Sequence, residues 1–453
     1  MNDFRIGFVG FGEVNTPYEM IEAKCAAAKQ RLKKRGYALA DGGIVTDDEQ
    51  RQRAAQAIER LESQQFDMLV LCVAGWIPSY AVVRVADRFK HLPMVLWGLC
   101  GRREDGRLVT TADQAGTSAL RKPMQDLGFR FRYVYDTIDG TDGTDALAAY
   151  ALAVAASKQM ATARVGMMGY RDMNLYGTMF DGVDLKKHIG IEIEFIETLE
   201  MVARAEKADT AQTKRYLEKI KSEWTFGAAA EDAVLQKGIQ YFLALKDIAE
   251  AKGYTAISLI DVDGMKKLLG YPPSLVFMLL ANEAGLCSIP ENDALGSCTQ
   301  LITRALTGQA AMYLEFYEYM KDRVLMGVPD FVPSEAVDGP YTVTPTSFGL
   351  LDSCILNVSK LKTGPATLAR LYPEDGGYGL HVALAEAVTP RAWEEAGWTP
   401  PAPQLPGLEL VMEERTARFA QAVMSQHYIV SYGDNVAAFR EYGALNGIRI
   451  FET

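Results

Sequence analysis

Asp67-Met-Leu-Val-Leu-Cys-Val-Ala74 (DMLVLCVA) is an almost unbroken apolar run bounded by more polar sequence. A strand of a parallel sheet reads this way, because helices cover both faces of the sheet and leave no polar side. Residues 94–99 (MVLWGL) repeat the pattern. Upstream, a short apolar strand over 5–9 leads into a helix from about 19 to 34, so strands and helices alternate through the first third of the chain. That alternation predicts an open α/β domain with short crossovers.

An Ala-rich helix over about 145–162 then runs straight into a new strand at 164–169, which opens a second α/β unit. Helices at about 211–223 and 231–252 and a strand at 256–260 continue it to about residue 320. From about 321 the character changes to β-rich segments, at 354–358, 380–384 and 408–412, separated by turn residues. The Pro-rich stretch 398–407 (WTPPAPQLPG) is a loop or an edge. The expected class is therefore α/β: two open α/β domains with parallel sheets, 1–162 and 163–320, and a mostly β C-terminal domain, 321–453. A chain of 453 residues is also too long for one ordinary core.

The formal net charge is −11 and no basic cluster interrupts it, which argues against nucleic acid or an anionic membrane as partner. No run of about 18 apolar residues occurs, and the N-terminus enters a strand without a basic region and cleavage site. A soluble, cytoplasmic protein acting on a small molecule is the expectation. The six cysteines are scattered, with neither disulfide nor zinc-knuckle spacing, and read as buried thiols.

One motif fails on inspection. Gly10-Phe11-Gly12 lies between a strand and a helix, as a dinucleotide fingerprint would, but Asn15 stands where the third glycine is needed for close helix packing. An ordinary strand-to-helix turn explains it.

The chemistry lies further on. Glu291-Asn292-Asp293, Glu315 and His427 supply two carboxylates and an imidazole, the set a catalytic divalent cation needs. The carboxylates are 315 − 291 = 24 positions apart. Apolar positions 295, 301, 302, 305 and 306 recur at helical spacing, and the aromatic-rich stretch from 311 begins a strand, so Glu291 precedes a helix and Glu315 sits within a strand. Taken alone the segment is ambiguous: Asn and Asp favour helix caps, and an isolated histidine is more often a core or surface residue than a ligand.

Residues 290–300 (PENDALGSCTQ) and 311–327 (AMYLEFYEYMKDRVLMG) resemble the metal-site region of the L-fucose and L-arabinose isomerase superfamily, and the END tripeptide resembles the L-fucose isomerases most. The resemblance implies manganese held by Glu291, Glu315 and His427, with magnesium or cobalt as substitutes, and two α/β domains before a barrel-like C-terminal domain. It implies substrate contacts from Gln426, from Trp76 after the strand at 67–74, and from Gln114 after the Trp97-Gly98-Leu99-Cys100-Gly101 turn. It further implies a homo-oligomer with active sites near subunit interfaces. The chain departs from the pattern twice: Glu315 replaces an Asp, and Val328 stands where the arabinose enzymes carry a fourth ligand, a His, leaving Asp330 as a substitute ligand. Tyr170-Arg171-Asp172 reads as a surface turn or as a contact for a polar or anionic substituent.

The expected function is a metal-dependent aldose-ketose isomerase working through an enediol, with Glu291 and Glu315 as the proton-transfer carboxylates. Two alternatives stand beside it: a sugar- or metabolite-binding protein of the same architecture without isomerase activity, and a different metal-dependent reaction on an acid- or sulfonate-bearing sugar.

Overall fold

The computed structural model describes residues 4–140, 142–328, 332–348, 351–391 and 407–453. Its first strands are β1 (Arg5–Phe11), β2 (Ala38–Val45), β3 (Met68–Val73) and β4 (Met94–Gly98), followed by a hairpin of β5 (Arg102–Glu104) and β6 (Arg107–Val109) and then β7 (Phe131–Tyr135). β1, β2, β3, β4 and β7 form a parallel sheet in the order β2-β1-β3-β4-β7. The central strand β3 is the apolar run at 67–74, and all six of its residues are buried. Helices Gln52–Glu62, Ser79–Arg88 and Asp113–Asp126 bury Ala57, Leu61, Val82, Val85 and Leu120 against this sheet. The glycines of Gly10-Phe11-Gly12 serve packing: a Cβ on Gly10 would lie 2.3 Å from Cys25 Sγ, and one on Gly12 would lie 2.4 Å from Ile21 Cδ1. Both neighbours belong to helix Tyr18–Lys34, so these two positions let that helix approach the sheet.

Contacts divide the chain into two compact units, Met1–Ala155 and Ala156–Thr453, with the division inside helix Thr144–Thr162. In the second unit β8 (Arg164–Met168), β9 (Glu192–Ile196), β11 (Ala256–Leu259) and β12 (Cys287–Ile289) build a parallel sheet ordered β12-β11-β8-β9, while β10 (Thr225–Phe226) pairs elsewhere, with β15 (Thr342–Phe348) and β16 (Leu351–Asn357). The remaining strands are β13 (Met312–Tyr319), β14 (Arg323–Gly327), β17 (Gly364–Glu374), β18 (Gly377–Val388), β19 (Gly407–Val411), β20 (His427–Tyr432) and β21 (Arg449–Glu452). Six of them pair in the ring β17-β20-β13-β14-β19-β18, and β18 pairs back onto β17, so the pairing closes on itself; β21 joins β18 in parallel. Closure removes free strand edges.

The α/β class with a mostly β C-terminal part is what the alternation predicted. The division expected at 320 is not marked by a change of core. β13 lies before that point and is a barrel strand, and one apolar cluster joins Met168, Ile257 and Leu259 of the parallel sheet to Met312, Leu314, Leu368, Leu410 and Val430 of the barrel. Among the described residues all six cysteines are free thiols, five of them buried and Cys100 half-buried. No helix of the described residues is long and apolar enough to cross a membrane.

One buried barrel residue titrates. His381 on β18 is enclosed, with Nδ1 2.6 Å from Tyr428 Oη and Nε2 2.8 Å from Thr453 Oγ1. Tyr428 Oη already accepts from the Met424 amide, so its proton goes to Nδ1 and the imidazole is neutral, with its own proton on Nε2. Burial lowers the His381 pKa from 6.5 to about 4. Below pH 6.5 the unfolded chain therefore takes up a proton that the folded chain refuses until about pH 4, so stability falls as pH drops through that window. At pH 5 the cost is about 2 kcal/mol relative to neutral pH. Urea unfolding of wild type and His381→Gln at pH 7.5 and 5.0 should show the variant losing about that much less on acidification.

Candidate functional site

The turn that carries Glu291 is built against backbone preference. β12 ends at Ile289, and Glu291 (φ 65°) and Asn292 (φ 51°) both adopt the left-handed conformation. For a non-glycine residue this costs roughly 1–2 kcal/mol, so the surroundings must hold it. Three hydrogen bonds do so: Asn292 N donates to Leu259 O (3.1 Å), Asn292 Nδ2 donates to Met168 O (2.6 Å), and Glu291 N donates to Asp261 Oδ1 (3.0 Å). The turn is thereby tied to the carboxyl ends of β8 and β11, the edge at which open parallel sheets bind ligands.

The three residues of the END tripeptide do different work. Asn292 fixes the turn, as just described. Asp293 caps helix Ala294–Thr307 by accepting from Gly296 N (2.9 Å), as the capping preference of Asp leads one to expect. It also takes the Tyr313 hydroxyl (2.8 Å) and a two-pronged contact from Arg370, whose Nη2 is 3.0 Å from Asp293 Oδ1 and whose Nη1 bonds Oδ2. Both members of this ion pair are 1 % exposed. Burial alone would raise the Asp293 carboxyl, but Arg370, the Gly296 amide and Tyr313 outweigh it and hold it below the usual range. Gly296 is glycine for want of room, since a Cβ there would lie 2.7 Å from Asp293 Oδ2 and 2.8 Å from Tyr313 Cε2.

Glu291 alone of the three points at other sequence-selected residues. In the antiparallel pairing of β13 with β20, Glu315 is the direct cross-strand partner of His427. Directly opposed residues share one face with Cβ atoms about 5 Å apart, so barrel register alone brings these two side chains together. His427 Nε2 is 3.6 Å from Glu315 Oε2, and His427 Nδ1 is 3.6 Å from Glu291 Oε2. Gln426 Nε2 donates to Glu291 Oε2 (3.1 Å). The imidazole stacks on the Tyr313 ring with centroids 4.3 Å apart and planes 11° from parallel. Burial lowers the His427 pKa to about 3, leaving a neutral ring at physiological pH. Exposure rises from 3 % at His427 to 13 % at Glu291 and 25 % at Glu315, so the site opens on the Glu315 side.

The donor set suits a hard divalent cation: two carboxylates, and an imidazole held neutral as a ligand must be. The geometry is that of a loose cluster, because the two ring nitrogens face different carboxylates. Among the described residues no three His, Cys, Asp or Glu side chains stand at the spacing of a finished metal site. Val328, at the position of the absent fourth ligand, is buried and apolar. Asp330 lies outside the described residues.

Sequence reasoning missed the supports. Asp261, which accepts the Glu291 amide, also takes Lys266 Nζ (2.8 Å), and the next two amides, Val262 N and Asp263 N, donate to the buried Asp172 (2.9 and 2.8 Å). Burial first, and then the Asp261 carboxyl, raise Asp172 to about 7 against the opposing pull of backbone amides. Asp261 was findable in principle, since it directly follows a parallel strand at the sheet's carboxyl edge. Tyr313 is two positions before Glu315 and so on the same strand face. Arg370 carried no local signal.

Trp76 and Gln114 belong to the first unit. Trp76 follows β3 at the point where strand order reverses between β1 and β3; its carbonyl accepts from Glu13 N (2.8 Å), and its side chain is 38 % exposed. Gln114 Nε2 is committed to backbone, donating to Gly98 O (3.2 Å), Leu99 O (2.8 Å) and Asp136 O (3.1 Å), so it braces the ends of β4 and β7 and leaves its amide oxygen for any ligand contact.

Neither a protein-family model nor a curated protein matches the chain. Among solved structures it is similar to an ABC transporter periplasmic solute-binding protein from Actinobacillus succinogenes 130z with bound D-allose. The identity is 12 % and the TM-score 0.18, over 69 % of this chain and 84 % of that one. A likeness at that level carries no argument.

Removing one partner of a fully buried ion pair strands the other charge, at a cost of about 3–5 kcal/mol. Arg370→Met should therefore destabilise the chain by about that amount in urea unfolding. Arg370→Met combined with Asp293→Asn should recover part of the loss.

Proposed function

We propose that the chain is a divalent-metal-dependent aldose-ketose isomerase, with manganese as the preferred ion and magnesium or cobalt as substitutes. The observation that carries this reading is the convergence of Glu315 and His427, fixed by barrel register, with Glu291, which arrives from a separate element within 3.6 Å of the same imidazole. A carboxylate on a barrel strand and another on a separate turn are brought to one neutral ring, and two like charges so placed favour a bound cation.

Moving a carbonyl between adjacent sugar carbons needs one proton shifted between the carbons and another between the oxygens. Glu291, Glu315 and His427 would hold the ion, which when bound would stabilise negative charge developing on two neighbouring sugar oxygens. The proton transfers fall to the chain's own carboxylates. Each glutamate has two oxygens, so one can ligate while the other exchanges a proton with substrate. Gln426, donating to Glu291 Oε2, steers that carboxylate. Glu315, the more exposed of the two, meets substrate from the open side. His427 stays neutral, fixed by Tyr313, and takes no part in proton transfer in the physiological range.

The test is carbon-bound proton exchange with deuterated solvent, together with ketose formation, across a panel of aldoses with the manganese-loaded protein. Glu291→Gln and Glu315→Gln should each lower both by at least about 10²-fold with the fold intact. His427→Ala should act mainly through weaker manganese binding. No ketose and no exchange from any aldose would refute isomerisation and leave binding without turnover. Product without ketose would point instead to another metal-dependent reaction.

A further inference from the structure

Behind Glu291 lies a polar assembly that takes no direct part in the chemistry proposed above. Asp172 and Asp261 are 0 % and 1 % exposed, and the Asp261 carboxyl is among the groups that raise Asp172. Asp172 accepts three backbone amides: Met173 N at 3.0 Å and Asp263 N at 2.8 Å on Oδ1, and Val262 N at 2.9 Å on Oδ2. Asp261 faces the other way, to the Glu291 amide and to Lys266 Nζ, itself only 7 % exposed. The pair thus knots together the loops that leave β8, β11 and β12.

Each of those loops is locally unusual. Met173 (φ 46°) and Asn174 (φ 55°) are consecutive left-handed residues, as Glu291 and Asn292 are. Between them, Asp261–Leu268 forms a π-helical turn, a rare element that recurs at functional sites. Met173 and Glu291, each the first of two consecutive left-handed residues, donate their amides to Asp172 and Asp261, and the π turn begins at Asp261. Strain of that kind persists only where surrounding bonds over-determine it.

We propose that Asp172 is a positioning residue that, by holding the turn that begins at Asp261, keeps the Glu291 turn in its left-handed form and so sets the Glu291 carboxylate beside His427 and Glu315. It binds the Val262 and Asp263 amides next to Asp261, Asp261 anchors the Glu291 amide, and the φ of Glu291 decides where the side chain leaves the backbone. Asn at 172 keeps an acceptor for the amides, and Ala keeps none.

This inference rests on the reading of Glu291 as a working site residue, and two measurements keep the two apart. The first is manganese affinity, by paramagnetic titration of wild type, Asp172→Ala and Asp172→Asn. Supporting residues behind metal ligands are worth about 10–100-fold; Asp172→Ala should weaken binding by that factor, and Asp172→Asn should stay within about threefold of wild type. Asp263→Ala, which removes a different acceptor of the Met173 amide, should leave the affinity unchanged. The second is amide hydrogen exchange over residues 287–293, which needs no metal. Asp172→Ala should speed exchange at Glu291 and Asn292 at least about tenfold while helix Ala294–Thr307 and β13 keep wild-type protection, and Asp172→Asn should restore it. Should Asp172→Ala not fold, Asp172→Ser, which keeps one acceptor, replaces it in both arms. Wild-type exchange at 291 and 292 in Asp172→Ala overturns the proposal. Faster exchange there with unchanged manganese affinity overturns its functional half. A wild-type protein that binds no manganese refutes the metal reading instead, and the exchange arm then decides alone whether Asp172 sets the turn.

Discussion

The buried pair of Asp293 and Arg370 is the constraint on which the rest of the second unit's site depends. Two full charges at 1 % exposure need their lone pairs and protons partnered; here both Asp293 oxygens and both Arg370 terminal nitrogens are bonded while, among the described residues, Arg370 Nε finds no partner, and those bonds fix geometry. Asp293 starts helix Ala294–Thr307, takes the Tyr313 hydroxyl, and receives Arg370 from β17. Tyr313 in turn stacks on His427. A helix cap on one sheet is thereby coupled to the orientation of an imidazole on the barrel, which is why the parallel sheet and the barrel share a single core.

The barrel supplies the second half of the geometry. Because β13 and β20 are neighbours in a closed ring, a slip of one residue between them would turn Glu315 and His427 to opposite faces and break every other pairing in the circuit. Closure therefore protects the site's register. The parallel sheet contributes differently, through loops at its carboxyl edge, where Glu291 and Asn292 are kept left-handed by hydrogen bonds to the ends of β8 and β11. One carboxylate sits on a rigid strand and the other on a braced turn.

Much of this was legible in the sequence, and the parts that were not share a cause. Uninterrupted apolar runs such as 67–74 identify buried parallel strands because both faces must be apolar, and the helix-then-strand reading of 294–319 follows from a change of period. Register between strands more than a hundred residues apart leaves no local trace, so the pairing of Glu315 with His427 could be inferred only from a family resemblance. Arg370 was invisible for the same reason, since a single charged residue in a β segment reads as surface until its partner is known. The place of β13 in the barrel could not be read from the sequence, because one core joins the parallel sheet and the barrel without a break there. Gln114, at the carboxyl edge of the first unit's sheet, has its amide nitrogen bonded to three backbone carbonyls, a bracing role that sequence does not show.

The proposed chemistry requires that Glu291, Glu315 and His427 gather one cation. Electron paramagnetic resonance of the protein titrated with manganese tests this most directly, because it counts bound ions and reports a directly coordinated imidazole nitrogen. The expected result is one tightly bound manganese per chain with a single nitrogen coupling that disappears in His427→Ala, and binding that weakens sharply in Glu291→Gln and Glu315→Gln. Binding that is absent at millimolar manganese, or that survives all three substitutions unchanged, would contradict it.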